Sequence, residues 1–302
     1  MIHVSAQHKN PHPAGKALQL GLQGTKAALS LEQVAVVACL FPRSLRQNDP
    51  GPWASQIWWG HREKALIYPA SVMKLFVLAG LAAFRAEGRL ASNKEDDRAA
   101  AAMIRISSNE ATAYLMGRLS GAEDGTCLDE TSLDEWCKRR GALQDMFLGQ
   151  GRREFAGLQL LHATYQESPY GRAFQARRDG NTNKLSALAS AVLLYDIARG
   201  AVVGADWMMG LLQRDFQRLP GYCDHEGDQV RGFLAEGLPA STRVWSKAGH
   251  TSTTRHDLAY AENADGTAYI LSVMTEGEWT SRHGTFLPDL ARAFHAHACT
   301  TH

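Results

Sequence analysis

The chain has 302 residues and is 45% hydrophobic, long enough for one large core or for two lobes sharing a cleft. Lys+Arg 32 against Asp+Glu 31 gives a formal charge of +1, a balance that argues against nucleic acid as a partner, because such proteins carry a net basic field. No run approaches the ~18 apolar residues of a membrane span.

In chain order, residues 1–13 read as a loose arm. Apolar residues at helical spacing (Leu18, Leu20, Leu22, Ala27, Ala28) predict a helix over 14–29. The continuous apolar run Val34 to Phe41, stopped by Pro42, predicts a buried strand, and Arg43 to Pro52 a loop. Gln56–Trp59 and Lys64–Tyr68 flank Gly60-His61 and predict a hairpin. A helical pattern then runs from Ser71 to Arg89, followed by helices over 94–105, 110–119 and 133–140. Residues 142–183, polar and rich in Gly and Arg, read as mostly loop. A strongly amphipathic helix is expected over 184–199 and another helix over 207–219, then strands over 242–247, 258–262 and 268–275, the last two joined at the turn Asn263-Ala264-Asp265-Gly266. A helix over 287–298 closes the chain. Strands at both ends around a helical middle imply an α/β lobe of about 30–70 and 205–302, with an all-α lobe of about 71–204 inserted.

Three short motifs carry chemistry. In Ser71-Val72-Met73-Lys74, preceded by Tyr68-Pro69-Ala70, the serine and lysine share one helix face, so the amine is placed to act as base for a hydroxyl that is otherwise a weak nucleophile. Pro69 suits a helix start, whose outward N–H groups stabilise an oxyanion. Ser107-Ser108-Asn109 precedes a helix and reads either as an N-cap or as a proton relay with a substrate-binding amide. Lys247-Ala248-Gly249-His250 ends a strand, with a cation for an anionic substrate group and a glycine that lets substrate backbone approach closely. Taken singly, each also fits an ordinary surface serine, helix cap or strand lysine.

In this order the motifs resemble the S-x-x-K, S-D-N and K-T-G set of serine β-lactamases and penicillin-binding proteins. The flanks match too: Tyr-Pro-Ala before Ser71, Met103-Ile104 before Ser107, Glu110-Ala111-Thr112-Ala113 after Asn109, and Arg255-His256-Asp257-Leu258-Ala259 after the third motif. Asn181-Thr182-Asn183 resembles the segment that follows the Ω-loop in class A relatives, so the likeness spans about residues 33–298. The resemblance implies one β-lactamase/transpeptidase-like domain over 1–302, an α/β fold with an antiparallel sheet flanked by helices plus the all-α lobe. It also implies Ser71 as the acylated nucleophile, Lys74 as general base, Ser107 as relay and Lys247 as electrostatic partner. Asn109, Gly249, His250, Thr251 and Arg255 would bind substrate, with the N–H groups of Ser71 and His250 as the oxyanion hole.

This pattern departs from the family in three places. Ala248 stands where relatives have a threonine hydroxyl for the substrate carboxylate, leaving Thr251, Ser252, Arg255 and His256 as candidates to replace it. Ser108 stands for the aspartate of S-D-N. No E-x-x-L-N string lies between Gly141 and Lys184; Glu154 and Glu167 are the glutamates there, and both read as solvated charges. The Ser71-to-Ser107 spacing is shorter than in class A enzymes, which predicts a trimmed helical lobe.

The expected activity is hydrolysis of a β-lactam or related amide through an acyl-enzyme, with a small-molecule amide, β-lactam or peptide as substrate. The alternatives are a D,D-peptidase, amidase or esterase with a natural substrate that is no antibiotic, and a penicillin-binding or sensing module that acylates without turnover. No metal or organic cofactor is expected: His295 and His297, two apart on a helix, face apart and read as surface residues despite Cys299 and His302 nearby. The five cysteines form no C-x-x-C pair and read as mostly buried thiols of a reducing compartment. The polar start Met1-Ile2-His3-Val4-Ser5 lacks a signal-peptide core, so a cytoplasmic location is expected, although a secreted form with its leader removed reads alike.

Overall fold

The computed structural model describes residues 3–4, 13–23, 30–47, 49–163, 170–178, 181–214 and 228–298. In chain order these form β1 (His3–Val4), α1 (Pro13–Gln23), β2 (Val34–Phe41) and β3 (Trp58–His61). A helical stretch follows: α2 (Lys74–Ala86), α3 (Lys94–Arg105), α4 (Asn109–Ser120), α5 (Glu130–Arg140), α6 (Ala142–Leu148), α7 (Gly171–Arg178), α8 (Ala187–Ala198) and α9 (Ala205–Leu212). The chain then returns to the sheet with β4 (Arg243–His250), β5 (Arg255–Glu262) and β6 (Ala268–Thr275), and closes with α10 (Glu278–Arg282) and α11 (Phe286–Ala298).

The strands form one antiparallel six-stranded sheet in the order β1-β3-β2-β6-β5-β4. β2 and β6 sit at its centre and carry apolar residues on both faces, because helices cover both. Ala35, Val37, Cys39 and Phe41 enter the core shared with α2 and α8, while Val34, Val36 and Ala38 enter the core shared with α1 and α11. Each buried Val, Leu, Ile or Phe on these faces contributes about 1.5–3 kcal/mol. α8, expected to be amphipathic, is buried on every side with Ser190 and Asp196 included, so it acts as the pillar between sheet and helical stretch.

Several expected elements are placed differently. Lys64–Tyr68 forms no hairpin arm; β3 pairs instead with β1 and β2, and Ile67 makes an isolated bridge to Leu185. The described residues of 142–183 are more than loop. They hold α6, a 3-10 turn (Arg153–Phe155) and α7, whose polar surfaces hide the few buried anchors Leu143, Phe147, Phe155, Ala173 and Ala176. Within the N-terminal arm His3–Val4 pairs with β3, and the rest of 1–12 lies outside the described residues. β4 continues through His250 rather than ending at Lys247, which carries the third motif along the sheet edge. Cys39 is buried but Cys127 is exposed, and Cys223 and Cys299 lie outside the described residues. No helix among the described residues is long and apolar enough to cross a membrane.

Candidate active site

Ser71 lies in a 3-10 turn (Ala70–Met73) that feeds directly into α2. Ala70, just before it, is held at φ 44°, a left-handed conformation that costs a residue with a Cβ about 1–3 kcal/mol. Two features hold that turn in place. The buried His256 ring takes the Thr275 N–H on Nδ1 (2.9 Å), which fixes its proton on Nε2, and donates that proton to the Tyr68 carbonyl (2.9 Å). Gly249 packs so closely that a Cβ there would stand 3.0 Å from both Pro69 O and Ser71 N.

Lys74 opens α2 with its side chain fully buried. Its ammonium donates to Ser107 O (2.5 Å), Ser107 Oγ (3.1 Å) and Asn109 Oδ1 (2.8 Å); among the described residues it makes no hydrogen bond to the Ser71 hydroxyl. Burial lowers its pKa to about 7, against a smaller opposing effect of Glu110. Its place at the positive end of a helix acts in the same direction. Ser107, also left-handed at φ 58°, turns its hydroxyl between two amines, since Lys247 Nζ lies 3.1 Å from the same oxygen. Ser108 is the N-cap of α4 through the Ala111 N–H (3.0 Å), so the second motif is both cap and site wall.

Lys247 is fully buried and donates also to Gln229 Oε1 (2.5 Å) and Ala248 O (2.7 Å). Burial lowers its pKa well below the usual lysine range, helped by Lys74 and Arg214, with Asp257 opposing. β4 is the sheet's edge strand, and its outward groups alternate by two. Val244 O takes the Arg214 N–H (2.8 Å), Ser246 O takes the Arg214 guanidinium and Ala248 O takes Lys247, so the His250 N–H falls on the same open edge beside Ser71.

The remaining expected residues gather at the far end of that edge. The exposed His250 ring lies 3.1 Å from Ser281 Oγ and 3.3 Å from Arg255 Nη2. Arg255 spends its guanidinium on Ser281 O (2.8 Å) and Gly232 O (3.4 Å) and lies over the Phe233 ring. Thr251 Oγ1 sits 2.9 Å from Thr254 Oγ1, and Ser281 Oγ donates to the Thr251 carbonyl. Ser252 is exposed. His256 cannot receive substrate, since both ring nitrogens are used by backbone. The Ala248 side chain points into the core with Phe233 and Leu234. Sequence reasoning missed Gln229, Arg214, Ser246 and Ser281; each is a lone polar residue whose type and neighbours carry no signature.

A family model described as the β-lactamase enzyme family matches residues 97–298, two thirds of the chain. The chain belongs to the β-lactamase enzyme family. The matched span includes Ser107, Asn109 and Lys247 and begins after the Ser71 turn. No curated sequence matches the chain. Among solved structures, a β-lactamase from Chitinophaga pinensis DSM 2588 superposes with TM-score 0.63 at 15% identity, covering 95% of this chain and 99% of that one. A β-lactamase from Burkholderia vietnamiensis gives TM-score 0.64 at 14% identity, covering 98% and 100%. PBP-A gives TM-score 0.60 at 15% identity, covering 92% and 95%. At such identities these structures speak to the fold, and the fold is that of the serine β-lactamases.

This β-lactamase-family chain is therefore a serine β-lactamase-like hydrolase acting on amide bonds. Of the two glutamates in the region where class A relatives keep their deacylating base, Glu154 pairs with Arg152 (3.7 Å), whose guanidinium also holds Asp196 on α8 (2.5 Å). Glu167 lies outside the described residues. Asn183, of the Asn-Thr-Asn segment, pins this region: its side chain takes the Leu161 and His162 N–H groups (2.9 Å each) and donates to His162 O (2.8 Å).

Proposed function

We propose that Ser71 is the nucleophile of a β-lactam-opening reaction, and the observation that carries this reading is the convergence of Lys74, Lys247 and Asn109 on the Ser107 turn. Neutral Lys74 takes the Ser71 proton as Oγ attacks the lactam carbonyl. The oxyanion settles between the N–H groups of Ser71 and His250. As the C–N bond breaks, the departing nitrogen takes the Ser107 hydroxyl proton, which the protonated Lys74 restores by way of the same hydroxyl. Water then cleaves the ester, releasing the ring-opened acid and returning a proton to Ser71. Asn109 and the Gly249–Thr251 edge orient the substrate amide, and Arg255 supplies positive charge toward the substrate carboxylate. In this reading the cleft runs between an α/β lobe of about 30–70 and 205–302 and an all-α lobe of about 71–204.

A second reading, slow turnover of the penicillin-binding or D,D-peptidase type, is favoured by the engagement of Glu154 with Arg152. A PBP-A variant is known as an acyl-enzyme complex with penicillin G. Mass spectrometry after benzylpenicillin, beside a nitrocefin time course, decides between them. Rapid turnover supports the β-lactamase reading and a persistent adduct on Ser71 the second. Labelling that survives Ser71→Ala unchanged removes Ser71 from both.

A further inference from the structure

Arg214, in the segment after α9, is buried with no carboxylate at ion-pair distance among the described residues, an unusual state for a guanidinium. Its Nε donates to Ser246 Oγ (3.1 Å), and its terminal nitrogens donate to Ser246 O and to Ile104 O (3.4 Å). Ser246 directly precedes Lys247 on β4. Ile104 is in the last turn of α3, where exposed carbonyls favour a cation, and the chain runs from there straight into Ser107. One rigid, planar side chain thus ties together the two segments whose side chains meet at the Ser107 hydroxyl.

The charges around this point are few and can be named. α2 presents Lys74, β4 Lys247 and the segment after α9 Arg214; β5 presents the buried Asp257, the 228–233 segment Asp228, and α4 the exposed Glu110. Asp228 is already occupied by the N–H groups of Val230 (2.8 Å) and Arg231 (3.0 Å). Three buried cationic groups therefore face one buried carboxylate, and of the three only the guanidinium is unable to shed its proton at working pH.

We propose that Arg214 is a positioning residue that clamps the Ser107 turn to the Lys247 strand and, as the permanent cation of the pocket, drives protons off the two lysines. Lys74 then rests in the form able to accept the Ser71 proton; this rests on the Ser71 reading above. Arginine's lower hydration makes it the cation that tolerates this burial, and carbonyl oxygens of β4 and α3 take the place of a counter-ion.

The test is the pH dependence of benzylpenicillin acylation for the wild type and for Arg214→Gln, Arg214→Lys and Asp257→Asn. In Arg214→Gln the acid limb moves to higher pH by about one unit, so the rate on that limb falls about tenfold and recovers in alkali. Arg214→Lys, whose buried amine can shed its proton like its two neighbours, moves the limb in the same direction as Arg214→Gln, and Asp257→Asn moves it to lower pH. A rate that falls equally at every pH, with the limb in place, overturns the proposal and leaves Arg214 a merely structural residue. Should Arg214→Gln fail to fold, a fixed or alkaline-shifted limb in Asp257→Asn overturns it equally. Titrating the lysine ε-methylene NMR signals of the unliganded proteins reads the same displacement without any acylation. Absence of a benzylpenicillin adduct on the wild type therefore counts against the Ser71 reading, and an unmoved lysine titration against this one.

Discussion

Lys74 Nζ and Lys247 Nζ lie at the same distance, 3.1 Å, from one oxygen, the hydroxyl of Ser107. A serine hydroxyl has one proton to give and two lone pairs to offer, so it can accept from both amines and keep its own proton to donate. Both amines are buried, and two ammonium ions so placed repel, which favours neutrality of at least one.

The first expectation concerns Lys74. With its pKa at about 7 and its base form neutral, acylation rises with pH through about 7 and levels above it. Lys74→Ala lowers the acylation rate by at least roughly 10²-fold. Stopped-flow acylation by benzylpenicillin across pH checks both, and a flat wild-type profile or a wild-type rate in the variant refutes the base assignment.

Gln229 offers a test with a definite sign. Its amide oxygen is a neutral acceptor for Lys247 at 2.5 Å. Gln229→Glu places a carboxylate there, which stabilises the ammonium and moves the titration of Lys247 toward alkali. Gln229→Leu removes the acceptor without adding charge and moves it the other way. Titration of the lysine ε-methylene NMR signals reads both variants.

Gly249→Ala is expected to be costly for a steric reason. The new methyl would stand 3.0 Å from Pro69 O and Ser71 N, backbone atoms of a turn that is already strained at Ala70. The expected results are a lower melting temperature and an acylation rate reduced by at least about 10²-fold, because the nucleophile and its oxyanion donor shift together. Intact-mass labelling and a thermal melt on one preparation measure both.

His256 and Asp257 are adjacent, buried and oppositely sensitive to acid. Burial holds His256 at about 4, below its ordinary 6.5, so its contribution is complete above 6.5 and lost as pH falls from there to about 4. Burial raises Asp257 to about 6 from 3.8, so its contribution is complete below 3.8 and lost as pH rises to about 6. Between about pH 4 and 6 the two slopes oppose. His256→Gln removes one of them, so its denaturant-measured stability should rise as pH falls from 6 to 4, relative to the wild type. It also loosens the Tyr68 carbonyl, at a cost of about 1–3 kcal/mol for an unmet buried hydrogen bond. Equal pH slopes in the two proteins would dismiss the His256 contribution.

Glu154→Gln should leave turnover of nitrocefin within about twofold, because the Glu154 carboxylate is committed to Arg152 at 3.7 Å. A loss of turnover with accumulation of the acyl-enzyme would identify it as the deacylating base instead.

The order of Ser71-x-x-Lys74, Ser107-x-Asn109 and Lys247-x-Gly249, with their flanks, was enough to read the family and fold class, because each motif is local: a helix face, a helix cap and a strand end. Continuous apolar runs likewise marked β2 and β6, whose burial on both faces is written in their composition, and helical recurrence marked α2, whereas the helix expected over 184–199 as amphipathic is buried on every side as α8. α6 and α7 were hidden because a short helix needs only a few buried anchors and leaves its polar face to dominate the sequence. Only tertiary structure decided which residues accompany the motifs. Gln229 and Arg214 reach Lys247 and its strand across separate segments, Ala248 turns into the core, and His256 serves the Ser71 turn rather than substrate. The physical reason is that hydrogen bonds and charges act through space, and a single polar residue far along the chain acquires a meaning only when folding brings its partner to it.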